Sequence, residues 1–373
     1  MCKLIFLSEF YRMFKRSRYV RKNGFKQYSG NSIEKCKQIL NDCYNKEKGF
    51  FQVSNGHFTL FYIRDFGWIV NSLMKLGYKN KVRSTLNYAL NIYSKNHCVT
   101  TSISMNDEPF DFPYMSVDSL PYLIYSLSCL NDKQLVKKYK SFLENEIIKF
   151  YDLVIDKNTG LVRQDKFFSS MKDYSKRKSS CYDNSMLYLL KVSCDKLGLK
   201  HLFAKWDYRE LLVQNFWNGN YFYDDIVKKD YVAGDANVFP FWVGAIKNKN
   251  MLRKVIQSLK LAKLDYPFPL KYTFKKKHSK FIGFEFIANN YEGNTIWMHM
   301  GPLYVMIVGK VDKKLQQKYI IKYSKIIEKY STFLEVFNPD SKPYQLPYYI
   351  SDEAMSWCAN YLFLMSIKNE ARK

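Results

Sequence analysis

The residues of this chain best suited to chemistry are polar side chains that stand at the ends of predicted helices. Arg64 and Asp65 precede one apolar helical stretch, Asp118 and Asp183 each precede another, and Glu335 follows a fourth. Two carboxyl groups can serve as general acid and general base. Hydrolysis of a glycosidic bond needs such a pair, with the acid on the leaving oxygen and the second carboxylate opposite.

Aromatic side chains stand near these polar residues along the chain. Aromatic rings stack on sugar faces, while Asp, Arg and Asn bind hydroxyl groups through charge-assisted hydrogen bonds. The tryptophans concerned are Trp68, Trp242, Trp297 and Trp357. If the loops that hold them gather at one rim, the chain has the side chains for a sugar-binding pocket.

Other catalytic chemistries lack their sequence motifs. The chain has no glycine-rich phosphate loop, no G-x-S-x-G and no H-E-x-x-H. Its five histidines, at positions 57, 97, 201, 278 and 299, include no pair at metal-ligand spacing. This argues against metal-dependent hydrolysis, nucleotide chemistry and a Ser-His triad, so we expect neither a metal nor a cofactor.

The charge is strongly basic, with 59 Lys and Arg against 34 Asp and Glu, a net +25. Such a charge favours polyanions at low salt. The lysines are scattered among Tyr, Phe, Asn and Ile, and no nucleic-acid-binding motif is present. We therefore predict a solvated basic surface without a specific nucleic-acid partner. A non-catalytic helical scaffold that binds polyanions is the alternative from another class.

The cysteines and the apolar runs bear on the compartment. None of the eight cysteines forms a C-x-x-C pair, and no Asn-x-Ser/Thr acceptor occurs. No apolar run reaches 18 residues, so we expect no membrane span. These features predict a cytoplasmic protein with free thiols.

The elements that must position the polar residues are helices. Only 15 Gly and 10 Pro occur, and apolar residues recur at helical spacing. Paired helices joined by short turns indicate either a solenoid or a closed toroid, and the lack of a repeat of fixed period favours the toroid. The predicted helical stretches are 69–76, 82–93, 120–130, 135–150, 186–197, 252–259, 319–330 and 357–365.

Two segments differ from this pattern. Phe268–Phe286 alternates in a β-like manner around a basic turn, which predicts a short hairpin or else a mobile flap. Residues 1–45 are predicted to be a basic helical extension, and residues 46–373 the catalytic domain.

Five segments combine these polar and aromatic residues in order along the chain: Phe61–Trp68, Val117–Pro121, Ser170–Tyr188, Tyr291–Pro302 and Leu334–Trp357. Together they resemble segments of the amylo-α-1,6-glucosidases (glycogen-debranching enzymes) and the glucoamylase-like families. The resemblance covers about residues 57 to 363, and implies an all-α (α/α)6 toroid of about six helical hairpins. Trehalase-like and processing-glucosidase-like enzymes share this layout.

The resemblance assigns the roles. Asp173 would be the general acid and Glu335 the general base that activates water. The tryptophan before the acid in these families is absent here, where the sequence reads Met171-Lys172-Asp173. In trehalase-like relatives the acid would instead be Asp183. The substrate-binding residues would be Arg64, Asp65, Asp118, Asp183, Asn237, Trp297 and Trp357.

The implied activity is hydrolysis of an oligosaccharide, an α-glucoside first of all, with inversion and without a cofactor. A trehalase-like or acidic-sugar hydrolase is the alternative among enzymes. The +25 charge would suit an anionic glycan.

Overall fold

A computed structural model describes residues 2–112, 114–275, 280–281 and 288–370. Its elements are mainly helical. The helices are α1 (Cys2–Asn23), α2 (Ser32–Asp42), α3 (Ile63–Lys75), α4 (Lys79–Lys95), α5 (Ser119–Leu130), α6 (Lys133–Val154), α7 (Cys181–Leu197), α8 (Tyr208–Phe216), α9 (Gly234–Trp242), α10 (Lys249–Leu261), α11 (Met300–Val308), α12 (Lys313–Tyr330) and α13 (Cys358–Glu370). A 3-10 turn covers Phe203–Lys205.

Helices α2 to α13 form two concentric rings. The inner ring is α3, α5, α7, α9, α11 and α13, where each helix contacts the next and α13 contacts α3 again. The outer helices α2, α4, α6, α8, α10 and α12 pack against this inner ring. The closing contact between α3 and α13 distinguishes a toroid from a solenoid, so the predicted (α/α)6 fold is confirmed.

Helix α2 belongs with the outer ring, because it contacts α12 and α13. Helix α1 instead lies against the loop that precedes α13. The division of the chain after residue 45 into an extension and a catalytic domain stays a prediction. Among the described residues, no helix combines the length and apolar character that a membrane span requires.

The outer helices α6, α10 and α12 are easy to recognise in the sequence because they are amphipathic and capped. Asp132, Asn248 and Asp312 accept hydrogen bonds from their first turns. All eight predicted stretches lie in or overlap helices, but none covers α8, α9 or α11. Helix α8 has only nine residues. Helices α9 and α11 are equally short, contain a proline and are buried on nearly every side, so neither shows a 3.6-residue period.

The loops that lead from an outer helix to the next inner helix all reach the same end of the ring, since each hairpin returns the chain. These loops carry two-residue strands that pair antiparallel. The strands are β1 (Tyr44–Asn45), β2 (Phe50–Phe51), β3 (Phe61–Tyr62), β4 (Ser102–Ile103), β5 (Pro109–Phe110), β6 (Ser175–Lys176), β7 (Lys280–Phe281), β8 (Ile296–Trp297), β9 (Val336–Phe337), β10 (Gln345–Leu346) and β11 (Tyr349–Ile350).

Some pairings stay within one loop, as in β1–β2, β4–β5 and β10–β11, and others link two loops, as in β3–β4 and β8–β9. β1 pairs with β2, β3 with β4 and β4 with β5, while β8 pairs with β9 and β10 with β11. The hairpin predicted over Phe268–Phe286 falls in part on residues 276–279 and 282–287, which lie outside the described residues. In the described part, β7 pairs with β6 of a distant loop and not within its own segment.

Candidate active site

A small cavity of about 110 Å³ lies among the loops that precede the inner helices. Six of the residues that were predicted to be catalytic or substrate-binding line it: Arg64, Asp65, Asp173, Trp297, Glu335 and Trp357. They come from the loops or first turns of α3, α7, α11 and α13, which are far apart in sequence. The closed ring therefore brings them together. Larger depressions, of about 560 and 650 Å³, lie on the outer helices α10 and α12 and contain none of these residues.

Arg64 is the central cation of the site. Its Nε donates to Asp118 at 2.7 Å, its Nη1 reaches both carboxylate oxygens of Asp173 at 3.2 Å, and its Nη2 donates to Ser116 at 3.1 Å. Burial opposes the charge, but these two carboxylates outweigh it and raise the pKa of Arg64. Asp118 is fully buried and lies behind Arg64. It accepts from Tyr182 at 2.7 Å and makes no cap hydrogen bond to α5, so it orients Arg64 and does not line the cavity.

Asp173 faces the cavity from the loop before α7. Its carboxylate also accepts a hydrogen bond from Ser169. Burial raises the pKa of Asp173, while Arg64 and Ser169 act in the opposite direction and do not cancel the rise. The 3.2 Å contacts to Arg64 are longer than the 2.7 Å bond that Arg64 makes to Asp118. Asp173 is thus the more weakly held of the two partners of Arg64.

A buried ion-pair network anchors the loop that carries Asp173. The Lys172 ammonium lies 3.0 Å from Asp235 and 3.2 Å from Asp224, and Arg177 lies 2.6 Å and 3.2 Å from the same two carboxylates. Breaking such a buried pair on one side leaves an uncompensated charge. Lys172 and Arg177, which lie close to Asp173 in the sequence, are therefore neutralised here, and they fix the loop against α9.

Glu335 faces the cavity from the loop before α13. It accepts hydrogen bonds from the hydroxyl groups of Tyr291 and Tyr349 and, at 3.0 Å, from the backbone N–H of Asp352. Burial raises its pKa to about 7, and the nearby charge of Asp352 acts in the same direction. A carboxyl group with this pKa exchanges its proton near neutral pH, as a general base must.

Aromatic rings form the walls of the cavity. The Trp357 indole donates to Asp65 at 3.0 Å, and burial raises the pKa of Asp65 to about 7. His299, which the sequence analysis did not select, stacks on Trp68 with ring centroids 4.3 Å apart and meets Trp297 edge-on at 5.0 Å. Burial lowers the pKa of His299 well below its usual range, so this histidine is a neutral wall residue.

Glu292 is a third carboxyl group in the cavity, and the sequence analysis missed it. It accepts a hydrogen bond from the backbone N–H of Tyr174 at 2.9 Å, beside Asp173. Burial, with a smaller contribution from the charge of Asp173, raises its pKa to about 8. Its place in the segment Tyr291–Trp297, which the family resemblance had already singled out, was a signal that could have identified it.

Besides Asp118, two more predicted substrate-binding residues lie outside this cavity. Asp183 borders a separate space of about 10 Å³ beside Arg177, about the size of one water site. Burial raises its pKa to about 6, and one carboxylate oxygen has no hydrogen-bond partner. Asn237 is fully buried, and its amide bonds the backbone of Phe222 on both sides and the carbonyl of Ala233. Its amide holds a loop to α9, and its side chain does not line the cavity.

The described residues contain no group of three or more His, Cys, Asp or Glu side chains that could hold a metal ion. The side chains that line the cavity offer carboxyl groups, one guanidinium and aromatic walls.

Neither a protein-family profile nor a curated protein sequence matches this chain. Solved structures do match it in fold. A bacterial glucoamylase complexed with acarbose has a TM-score of 0.63 at 12% identity, over 91% of this chain and 55% of the glucoamylase. A rhamnosidase from Klebsiella oxytoca with rhamnose bound has a TM-score of 0.62 at 12% identity, over 92% of this chain and 65% of the rhamnosidase.

A smaller wild-type glycosidase matches end to end, with a TM-score of 0.60 at 10% identity over 96% of this chain and 97% of its own. This chain thus spans about two thirds or less of the first two enzymes but nearly the whole of the third. At these identities the likeness concerns the fold. The chain is similar in fold to the (α/α)6 glycoside hydrolases.

Proposed function

We propose that this chain is a glycoside hydrolase that cleaves an α-glucosidic bond of an oligosaccharide with inversion. The observation that carries the proposal is a pair of carboxyl groups, the partly exposed Asp173 and the buried Glu335, that face one aromatic-walled cavity from two different loops. The fold similarity to glycosidases supports it. The substrate class and the stereochemistry come from the family resemblance.

Asp173 is proposed as the general acid. A general acid must hold its proton near neutral pH and release it to the leaving oxygen. Burial raises the pKa of Asp173, which favours the protonated form. Arg64 opposes this, but Arg64 makes its shorter hydrogen bond to Asp118 and therefore interacts more weakly with Asp173 than with Asp118.

Glu335 is proposed as the general base. Two tyrosine hydroxyls and one backbone N–H fix its carboxylate, which leaves little freedom for it to turn away from the cavity. It would take a proton from a water molecule as the oxygen of that water bonds to the anomeric carbon. The glycosidic bond would break at the same time, and Asp173 would protonate the departing oxygen.

The remaining cavity residues are proposed to bind the sugar whose bond is cut. Arg64 and Asp65 offer a charged donor and a carboxyl group to hydroxyls. Trp297 and Trp357 are buried walls with ring faces suited to a sugar ring. The cavity is small, at about 110 Å³, which favours a single sugar unit at its base.

The test is a screen of α-glucosides, trehalose and uronic-acid oligosaccharides, with released sugar measured. The anomer formed first, followed by proton NMR, reports inversion or retention. Asp173→Asn should abolish cleavage of substrates with poor leaving groups yet spare activated aryl glycosides, which need little protonation. Asp183→Asn is the matched comparison: if it shows that selectivity and Asp173→Asn does not, the acid is Asp183.

Glu335→Gln keeps the shape of the side chain and removes the base. We expect a loss of about 10²–10⁴ in rate, the usual cost of losing general-base catalysis. Full activity of this variant on a confirmed substrate would contradict the two-carboxylate mechanism.

A further inference from the structure

Helix α1 lies outside the double ring, but it contacts the loop that backs the proposed base. Its Arg16 side chain is nearly buried, with 11% of its surface exposed. Arg16 donates to the carbonyl of Ile350 at 2.9 Å and of Ser351 at 3.2 Å. It also pairs with the carboxylates of Asp352 at 3.1 Å and Glu353 at 3.2 Å. One guanidinium thus reaches four successive residues of the loop.

The same loop holds Glu335 from behind. Asp352 and Glu335 exchange two backbone-linked hydrogen bonds. The Asp352 N–H donates to the Glu335 carboxylate at 3.0 Å, and the Glu335 N–H donates to the Asp352 carbonyl at 2.9 Å. Tyr349, at the start of the loop, donates its hydroxyl to Glu335. Two of the three groups that hold the Glu335 carboxylate therefore belong to the segment that Arg16 fixes.

The side chain of Asp352 is fully buried and ionised. Burial opposes its charge, but Arg16 and hydrogen bonds from Ser54 and the backbone of Phe58 outweigh burial and lower the pKa of Asp352. The backbone approaches so closely at Gly56 that a Cβ there would lie 2.2 Å from Asp352 and 3.1 Å from Arg16. The loop, α1 and the segment before α3 are therefore packed around this ion pair.

We propose that Arg16 is a positioning residue for Glu335: it holds the Tyr349–Glu353 loop and balances the Asp352 charge, so that Glu335 keeps both its orientation and its ability to ionise. The proposal rests on the assignment of Glu335 as the base. In the described part of the chain, Arg16 is the cation in contact with Asp352 and Glu353. Without it, an unbalanced negative charge would lie directly behind Glu335.

Other titratable groups surround the two carboxylates. Burial lowers the pKa of His57 to about 4, so it is neutral at pH 7 and does not replace Arg16. Glu335 interacts with Tyr174, Tyr291, Tyr349 and Asp352. Asp352 and its partners interact with Arg12, Arg16, Cys43, His57, Tyr349 and Glu353. Loss of Arg16 removes a positive charge from this set.

The experiment compares three variants of the full chain: Arg16→Gln, Arg16→Lys and Arg21→Gln. Arg21 is the matched control, because it lies on the same helix and donates to the carbonyls of Leu346 and Pro347 in the same loop region. Among the described residues, no carboxylate pairs with Arg21. The first readout is the pH midpoint of the Glu335 carboxyl group, from NMR of protein labelled with 13C-glutamate. The spectrum of Glu335→Gln identifies the resonance.

Arg16→Gln should raise this midpoint by about one pH unit, at the low end of the effect of a neighbouring charge. Arg16→Lys should keep it near the wild-type value, and so should Arg21→Gln. The second readout is kcat/KM against pH on a confirmed substrate. There Arg16→Gln should cost about tenfold at pH 6 and much less at pH 8.5, because the base is then ionised.

An unchanged midpoint in Arg16→Gln, or an equal shift in Arg21→Gln, would overturn the proposal. If Arg16→Gln does not fold, Asp352→Asn measures the same coupling, and it must lower the Glu335 midpoint. The NMR readout needs no substrate. A failure of the proposed activity would therefore appear as absent turnover with the predicted midpoints intact, which is distinct from a failure of this proposal.

Discussion

Replacing Glu335 by Gln should make the protein more stable at alkaline pH while it removes activity. The wild-type carboxyl group has an ordinary pKa of 4.5, which burial raises to about 7 in the folded chain. A group whose pKa is raised by folding stabilises the protein below its unfolded pKa, and this stabilisation is lost as the pH rises through the folded pKa. The glutamine stays neutral at every pH.

The magnitude follows from the two pKa values. At about 1.36 kcal/mol per pH unit, their difference corresponds to about 3 kcal/mol over the full range. About 2.5 kcal/mol of this stabilisation is lost between pH 5 and pH 8.5. The wild-type protein should thus lose about 2.5 kcal/mol more free energy of unfolding over this interval than Glu335→Gln does.

The assay is urea denaturation of both proteins at pH 5 and pH 8.5. The variant also loses hydrogen bonds to Tyr291 and Tyr349, and this lowers its free energy of unfolding equally at both pH values. The loss therefore cancels when the difference between wild type and variant at pH 5 is subtracted from that at pH 8.5. Glu47→Gln, which changes an exposed carboxylate away from the cavity, controls for the altered net charge. If the stability difference between Glu335→Gln and wild type stays within about 0.5 kcal/mol across this pH range, the buried, proton-holding environment inferred for Glu335 is wrong.

Three further outcomes are expected. Glu292→Gln should lower kcat/KM less than about tenfold at pH 7, since the carboxyl group that it replaces is largely protonated there. A loss of about 10² or more, with activated aryl glycosides spared, would make Glu292 the acid in place of Asp173. Asn237→Ala should lower the free energy of unfolding by about 2–4 kcal/mol in urea titrations, because it leaves the buried backbone of Phe222 unpaired, and KM should be unchanged. A raised KM would show that Asn237 binds the sugar. Nucleic-acid affinity, measured by fluorescence anisotropy, should be weak and fall steeply between about 50 and 200 mM salt, and tight sequence-selective binding would favour the scaffold alternative.

The sequence by itself determined the positions of eight of the helices that the structure describes. Stretches such as 82–93 and 319–330 carry apolar residues every third or fourth position, and this period depends only on neighbours along the chain. It also drew attention to Arg64, Asp65, Asp173 and Glu335, which line one cavity, although their roles stay predictions. The sequence pattern did not reveal the buried helices α9 and α11, because a helix that is apolar on every side has no apolar period to detect.

Only the tertiary structure decided which polar residues share a space. Asp183 and Asp173 stand ten positions apart at the entrance of the same helix, and no local pattern separates them. Lys172 and Arg177 anchor the loop that leads into this helix. The loop directs Asp173 towards the aromatic cavity and leaves Asp183 beside a separate space.

The same reason explains Glu292 and Arg16. Glu292 is a solitary carboxylate in an aromatic segment until α11 and α7 bring it beside Asp173. Arg16 is one of many basic residues until α1 is laid across a loop more than 330 positions away in sequence. Contacts of this kind depend on closure of the ring, whose distances are set by packing between helices, so no property of a short stretch of sequence contains them.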